Sequence, residues 1–259
     1  MRTKTFKSFL IAILTAMLPQ LAGAYDFMVD GLCYNYNEDG TSVTVTYEKT
    51  SYGEGDGYYN LSGDMVIPAS VTYNCFTYLV TEIGDRAFKN CSGLTSVAIP
   101  NSVTSIGNEA FAYCSGLTSI EIPNSVISIG SWAFAWTFDG YSGLTSVTIG
   151  NSVTTIGRCA LYFCAGLTSV TIPSSVTEIG EDAFSACSGL TSMVVENGNT
   201  RYDSRNNCNA IIETATNTLI SGCKNTVIPN SVTTIGRSAF SHCSGLTSID
   251  IPNSVTSIG

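Results

Sequence analysis

A block of 23 residues recurs along most of the chain. One copy, IPNSVTSIGNEAFAYCSGLTSIE, begins at Ile99. Related copies begin at five further isoleucines: Ile122, Ile149, Ile172, Ile228 and Ile251. The steps 99 to 122, 149 to 172, 172 to 195 and 228 to 251 are each 23 residues, whereas 122 to 149 is 27. A fixed period of this size predicts a solenoid, in which each copy forms one coil and buries its apolar side chains against the next.

The apolar residues within one copy have fixed positions. Leu117, Ile120 and Ile122 give the spacing L-x-x-L-x-L, whose last part alternates as one buried face of a strand does. The segment from Val126 to Ile129 predicts a second short extended stretch, which Gly130 ends. The six or seven residues that follow are enough for only one or two helical turns.

The pattern L-x-x-L-x-L followed by V-x-x-I-G-x-x-A-F-x-x-C resembles the BspA-like leucine-rich repeats of bacterial surface proteins, over residues 67–259. The resemblance implies a leucine-rich repeat solenoid of mostly short parallel β-strands with short helical turns, wound as a right-handed coil. It also implies export, adhesion or protein binding at the cell surface, and no catalytic motif.

Two segments do not repeat. Residues 25–66 read as a β-rich N-terminal cap with a hairpin around Asn-Glu-Asp-Gly, followed by an acidic loop with Glu54 and Asp56 whose spacing matches no EF-hand calcium loop. Residues 196–227 predict a hairpin insertion centred between Ala215 and Thr216. In that register Cys208 lies opposite Cys223, and the two residues either form a disulfide or remain free thiols.

The chain ends give further expectations. Residues 1–24 have a basic head, an apolar run of about ten residues and Ala22-Gly23-Ala24, which predicts a signal peptide cleaved before Tyr25 and no membrane insertion afterwards. A retained anchor is the alternative, although the run is about half a membrane span. The last copy stops in mid-repeat at Gly259, which favours a fragment of a longer array or a shortened product.

The charge balance excludes two classes of partner. The chain has 11 basic and 20 acidic residues, a net charge of −9. Removing Arg2, Lys4 and Lys7 with the signal leaves 8 − 20 = −12. Nucleic acid and anionic lipid are repelled by such a field.

The copy that begins at Ile122 carries both tryptophans of the chain. Its four-residue insertion brings together four aromatic residues: Trp132, Trp136, Phe138 and Tyr141. Exposed, this group would stack on sugar rings or anchor a protein partner. Buried, it would fill the volume of the longer loop.

Five of the ten cysteines share one position of the repeat: Cys91, Cys114, Cys164, Cys187 and Cys243. Their parallel side chains suit disulfides poorly, and we expect small buried residues instead. Cys159 is expected to be more exposed, and a pairing of Cys33 with Cys75 stays open. The single histidine, His242, and the lack of nucleophile, phosphate-binding or dinucleotide motifs predict no enzyme, no metal and no cofactor.

The outward residues of the L-x-L strands predict a ligand surface, since solenoids bind partners across such rows. The row is Ala98, Glu121, Thr148, Thr171, Val194 and Asp250, extended by Thr118, Thr145, Thr168 and Thr247. Three functions remain: an adhesion or interaction module that binds a host matrix or surface protein, a glycan-binding envelope protein that uses the aromatic group, or a structural spacer. The expected location is the cell surface or the medium, with the periplasm as a further possibility.

Overall fold

The computed structural model describes residues 25–47, 61–139 and 142–259, and for residues 138, 139 and 142 it describes the backbone only. Three features of the sequence therefore lie outside the described residues: the predicted signal peptide 1–24, the acidic loop with Glu54 and Asp56, and Tyr141. The side chain of Phe138 is also not described.

The N-terminal cap is an antiparallel sheet of three strands: β1 (Phe27–Val29), β2 (Leu32–Tyr36) and β3 (Ser42–Thr46). The predicted hairpin is present, since Tyr36 pairs with Val43 and Cys33 with Thr46. The sequence reading missed β1, which returns through Asp30 and Gly31, both at positive φ.

Parallel stacking begins inside the segment predicted to be the cap. Strand β4 (Ser62–Val66) pairs in parallel with β7 (Gly93–Ala98), and β3 pairs in parallel with β6 (Phe76–Ile83). Strand β5 (Ser70–Tyr73) forms a hairpin with β6 through Asn74 and Cys75, whose φ angles of 49° and 65° suit a two-residue hairpin turn. The cap thus continues directly into the coils.

The coils before the insertion each contribute two short strands, as the spacing of apolar residues predicts, and the coil after it has only the second strand. The first strands, which hold the L-x-L pattern, are β7, β9 (Ser119–Glu121), β13 (Ser146–Thr148), β15 (Ser169–Ile172) and β17 (Ser192–Val195). The second strands are β8 (Ser105–Ile106), β10 (Ser128–Ile129), β14 (Thr155–Ile156), β16 (Glu178–Ile179), β21 (Thr234–Ile235) and β22 (Ser257–Ile258). The longer coil adds β11 (Phe138–Asp139) and β12 (Ser142–Gly143). Neighbouring coils pair in parallel and in register, with Ile106, Ile129, Ile156 and Ile179 aligned.

The segment after each second strand is a series of turns where short helical turns were expected. It contains two residues in the left-handed region, for example Glu109 (φ 54°) and Tyr113 (φ 63°). These angles turn alternate N–H groups along the solenoid axis, so that Phe111 N donates to Ala133 O at 2.7 Å in the next coil. A helix would direct the same groups back into its own turn, and the stacked coils satisfy them instead.

One apolar core runs from the cap through the coils to the insertion, and a second cluster lies in the insertion and the coil after it. Phe88, Phe111 and Phe134 form a buried stack, with ring centroids 5.1 and 5.3 Å apart. Leu161 and Phe184 occupy the same position in the next two coils, and both are buried. The repeat is therefore stabilised chiefly by apolar contacts between copies.

The cysteine column is buried as predicted, except that Cys243 is only half-buried. Its thiols donate to carbonyls of the preceding coil, as from Cys114 Sγ to Phe88 O at 3.0 Å and from Cys187 Sγ to Leu161 O at 3.1 Å. Thr137 fills the same position in the longer coil and is fully buried. The expectation for Cys159 was wrong: this residue is 2% exposed. Cys33 is buried and Cys75 exposed, which sets the two in different environments.

Thiol labelling checks this arrangement. Burial raises the pKa of Cys114 well above its usual value and also raises the pKa of Cys159, which lowers the thiolate fraction of each at neutral pH. We expect Cys75 to react first with iodoacetamide in the native protein, and Cys114 and Cys159 to react only after denaturation. Mass spectrometry of peptides from timed reactions measures the order, and early labelling of Cys114 would contradict the burial.

The insertion contains the predicted hairpin. Its elements are β18 (Tyr202–Asp203), a 3-10 turn (Arg205–Asn207), β19 (Ala210–Glu213) and β20 (Thr218–Gly222). Glu213 pairs with Thr218, as expected for a turn centred between residues 215 and 216, but a bulge after Ile211 shifts the register by one.

The bulge changes the register of Cys208 and Cys223, for which the sequence allowed a disulfide. Cys208 and Cys223 are both buried free thiols, which is the second of the two alternatives that the sequence left open. Their sulfurs donate instead to backbone carbonyls, from Cys208 to Ala210 O at 3.6 Å and from Cys223 to Asn209 O at 3.3 Å. The one-residue shift removes the direct opposition on which the prediction depended.

Candidate binding surfaces

The first surface, here called the strand face, consists of the outward residues of the first strands. Ala98, Glu121, Thr148, Thr171 and Val194 are all exposed. Glu121 lies beside Thr148, and Thr171 beside Val194, in paired parallel strands. Adjacent residues of the row are thus separated by about 4.8 Å, the distance between neighbouring strands.

A second exposed row on the strand face was not singled out from the sequence. Ser119, Ser146 and Ser169 are exposed two residues before the first row. The alternation of strand side chains was the signal for them, because residues i and i+2 share a face. The strand face is therefore two residues wide and presents hydroxyl groups at regular intervals.

Asp250 does not join this row in a strand. It is exposed, but residues 246–250 form no strand, and the insertion lies between it and Val194 in the chain. The insertion ends the pairing of first strands at β17. Asp250 is therefore exposed but lies outside the paired first strands, and its part in a ligand surface stays a prediction.

The threonines predicted to extend the row are used in part for structure. Thr145 Oγ1 donates to Thr118 O at 3.0 Å, and Thr191 Oγ1 donates to Thr168 O at 3.0 Å. Each such bond joins one coil to the preceding one. Thr247 lies in the same strandless segment as Asp250.

Charge is distributed unevenly over the coils. The first strands contain no Lys or Arg. The basic residues among those described lie elsewhere: Arg86, Lys89, Arg158 and Arg237 after the second strands, and Arg201, Arg205 and Lys224 in the insertion. Many of them are paired with acids, as Arg237 is with Glu181 at 2.9 Å and Arg201 with Glu213 at 3.1 Å. The strand face therefore lacks positive charge, and Glu121 gives it a negative one.

The second surface is an aromatic cluster of Tyr113, Trp132, Trp136 and Tyr162. Trp136 stacks on Tyr113 at 4.9 Å and on Trp132 at 4.7 Å, with planes within 5° of parallel in both cases. Tyr162 meets both indoles edge-on, at 5.4 and 5.5 Å. The two tyrosines come from the coils on either side of the tryptophans. In the sequence, only the 23- and 27-residue steps of the repeat could have indicated that they lie near the tryptophans.

The sequence allowed either an exposed or a buried aromatic group, and the cluster is in part exposed and in part buried. Tyr113 is exposed, whereas Trp132, Trp136 and Tyr162 are half-buried. The faces of Trp136 are covered by two parallel neighbours, and a sugar ring stacks on an uncovered aromatic face. The stacking therefore occupies ring surface of Trp136 that a sugar would need.

The third surface, here called the junction cleft, lies where the insertion meets the coils. It measures about 330 Å³ and is lined by residues 179–185 of one coil, by Arg201, Tyr202, Glu213 and residues 218, 220 and 221 of the insertion, and by residues 236–238 of the following coil. At one side the hydroxyl of Tyr202 accepts a hydrogen bond from Ile179 N at 3.1 Å, where the next second strand would otherwise pair. The sequence located the insertion, but nothing in it indicated a cleft.

The described part of the chain shows little that would support catalysis. No group of three or more potential metal ligands occurs there. His242 lies on an exposed turn with its Nδ1 2.9 Å from Ser241 Oγ, without walls that would exclude water. Burial acts to raise the pKa of Glu109, but hydrogen bonds from Lys89 and Arg86 outweigh it and lower the pKa, so this carboxylate stays ionised.

Comparison with known proteins identifies the repeat. The model of the BspA-type leucine-rich repeat region matches in six copies, over residues 81–201, 135–221 and 217–259. The chain belongs to the BspA-type leucine-rich repeat family. The family and the leucine-rich repeat solenoid expected from the sequence are thereby confirmed, although the expected helical turns are absent from the described residues. No curated protein matches the chain significantly.

Solved structures of several bacterial leucine-rich repeat proteins resemble the chain. A leucine-rich cell surface protein from Faecalibacterium prausnitzii A2-165 is 27% identical, with a TM-score of 0.61 over 94% of this chain and 73% of that one. A leucine-rich repeat protein from Bacteroides ovatus is 30% identical, with a TM-score of 0.68, and the match covers 91% of this chain but 55% of that one. The pneumococcal vaccine antigen PcpA, at 19% identity and a TM-score of 0.64 over 88% of this chain and 70% of that one, shares the fold.

These relatives place the BspA-type repeat among bacterial leucine-rich repeat proteins, at least one of them a cell surface protein. The described residues contain no helix that is both long and apolar enough to cross a bilayer.

Proposed function

We propose that this BspA-type protein is an exported, non-catalytic interaction module of the bacterial cell surface, and that its strand face binds a protein partner. The observation that carries the proposal is the strand face itself, where Glu121, Thr148 and Thr171 are exposed at regular spacing on in-register strands. A row held by stacked coils is rigid, so little conformational entropy is lost when a partner binds.

The charge of the surface indicates the kind of partner. The strand face has no basic residue, and the whole chain has a net charge of −9. A protein partner with a basic or hydroxyl-rich patch would be complementary, and a host matrix or host surface protein is the class we propose. The basic head and apolar run of residues 1–24 support export.

Glycan binding is the second candidate, and the aromatic cluster is its support. Trp132 and Trp136 are half-buried and joined by Tyr113 and Tyr162. Because the faces of Trp136 are already stacked, the geometry favours protein binding over sugar stacking at this position. A structural spacer, the third candidate, has no surface that supports it specifically.

An array of immobilised matrix proteins and glycans tests the proposal. We expect the purified protein to bind at least one matrix protein, and the double variant Thr148→Arg, Thr171→Arg to bind it at least about tenfold more weakly, because two bulky cations in the centre of a contact cost about 1.4 kcal/mol or more. The dissociation constants are measured by surface plasmon resonance.

A matched control keeps the charge change and moves its position. The double variant Asn197→Arg, Thr200→Arg adds the same two charges at exposed residues outside the strand face and should retain affinity. Equal losses in both double variants would count against the strand face. Binding to glycans alone, lost on Trp136→Ala, would favour the second candidate.

A further inference from the structure

The hydrogen-bond ladder between coils is broken at the junction cleft. In a regular coil three amides after the second strand donate to the next coil, as Cys159 N does to Glu181 O at 3.0 Å and Leu161 N to Ala183 O at 2.9 Å. In the following coil only the third bond of the series remains, from Ala186 N to Ser241 O at 3.3 Å. The amides of Asp182 and Phe184 have no hydrogen-bond partner in the part of the chain that the structure describes.

The insertion explains why the second of these donors, Phe184 N, is left over. Phe184 N would be expected to donate to Ala239 O, the carbonyl at the repeat position that Ala183 O fills for Leu161 N. In the structure Gly222 N of the insertion donates to Ala239 O at 2.8 Å. Strand β20 thus takes this acceptor of the following coil, and the preceding coil loses it. Phe184 is 5% exposed, and an unpaired amide at such a residue is rare in native structures.

Both amides belong to residues that line the junction cleft. Its volume of about 330 Å³ is at the lower end of the range for ligand pockets, which is about 300–1,000 Å³. Arg237 and Glu181 form an ion pair at its rim, 2.9 Å apart and largely exposed. An exposed pair of this kind is weak, so it presents a small barrier to entry.

The spacing of the two donors indicates the chemistry of a ligand. Asp182 and Phe184 are alternate residues, and in the regular coils the acceptors for such donors are carbonyls of alternate residues, Glu181 and Ala183. An extended peptide offers carbonyl oxygens with the same alternation. A free anion fits less well, because Arg201 and Arg237 are already paired with acids and the net charge of the chain is −9.

We propose that the junction cleft is a second binding site, which takes an extended peptide segment of a partner protein through main-chain hydrogen bonds from the amides of Asp182 and Phe184. The site goes beyond the strand face, because it lies on a different surface and recognises backbone carbonyls. Over about two residues, the bound peptide would accept the hydrogen bonds that these amides would otherwise donate to the following coil.

Hydrogen exchange gives the first test. Amide exchange in the purified protein is followed by NMR, and the amides of Asp182 and Phe184 are compared with those of Cys159 and Leu161 at the same repeat positions. We expect the first pair to exchange at least about tenfold faster, because paired amides are protected by their hydrogen bonds. Equal protection would mean that both donors have an internal partner, and would overturn the proposal.

Selection of peptides gives the second test. A random heptapeptide phage library is panned on the purified protein, and the most enriched peptide is titrated while amide shifts are recorded. We expect the largest shifts at Asp182 and Phe184. Shifts confined to the strand face, or no enrichment over an unrelated protein, would overturn the proposal.

Two variants separate this site from the strand face. Ser238 lines the cleft at the repeat position where Trp132 stands, so the chain already accepts tryptophan there. Ser238→Trp should fill the cleft and weaken peptide binding at least about tenfold, while leaving binding to a matrix protein unchanged. The double variant Thr148→Arg, Thr171→Arg should weaken binding to the matrix protein and leave peptide binding unchanged. Unchanged peptide affinity in Ser238→Trp would rule out the cleft.

Discussion

Replacing Gly130 by alanine is expected to destabilise the protein by about 3 kcal/mol or more. A Cβ at this position would lie 2.5 Å from Gly107 C and 2.6 Å from Asn108 N in the preceding coil. Both contacts are with backbone that is held by in-register pairing of β8 with β10, so neither coil can yield without breaking the ladder. Overpacking against side chains costs about 1–3 kcal/mol, and a rigid backbone makes the cost larger.

Urea denaturation followed by circular dichroism measures this effect, with Gly245→Ala as the matched control. A Cβ at Gly245 meets only the side chain of Lys224, closest at Cδ, 2.9 Å away. That flexible chain can move, so the control should change the free energy of unfolding by less than about 1 kcal/mol. Similar losses in Gly130→Ala and Gly245→Ala would contradict the close stacking of the glycines.

Removal of the central phenylalanine should have an effect of similar size. Phe111 is fully buried between Phe88 and Phe134, with ring centroids 5.1 and 5.3 Å away. Phe111→Ala leaves a cavity that coils paired on both sides cannot close. We expect a loss of about 3–5 kcal/mol in the free energy of unfolding.

The matched variant for this position is Phe111→Leu, because the chain itself has a buried leucine, Leu161, at the same place in another coil. This change keeps most of the volume and should cost less than about 1.5 kcal/mol. Both variants are measured by the same denaturation experiment. A loss under about 1 kcal/mol in Phe111→Ala would mean that the stack does not stabilise the array.

Repetition explains why the sequence predicted so much of the fold. The L-x-x-L-x-L spacing indicated the first strands, and the segment from Val126 to Ile129 indicated the second, which the structure has as Ser128–Ile129. The cysteine position was read correctly as buried because a stacked position has the same neighbours in every coil. The same reasoning placed the row of exposed residues from Ala98 to Val194.

Several details differ from the predictions for reasons that the residue types did not show. Cys159 was expected to be exposed because Glu109 and Asp182 occupy its repeat position, yet it is buried. The alignment of Cys208 with Cys223 was lost to a one-residue bulge. The expected helical turns became turns with left-handed residues, because their amides bond to the next coil.

The family, the period of the coil, the side chains that face the core and those on the strand face could all be predicted from the residues alone. These properties are local or are repeated, so a pattern that is found in one copy applies to the others. The packing of the folded chain was needed to show that Gly222 N takes the carbonyl of Ala239 and that Asp182 and Phe184, whose amides are unpaired, line a cleft. A competition of two segments for the same backbone carbonyl depends on how three distant parts of the chain pack, and no spacing of residue types encodes it.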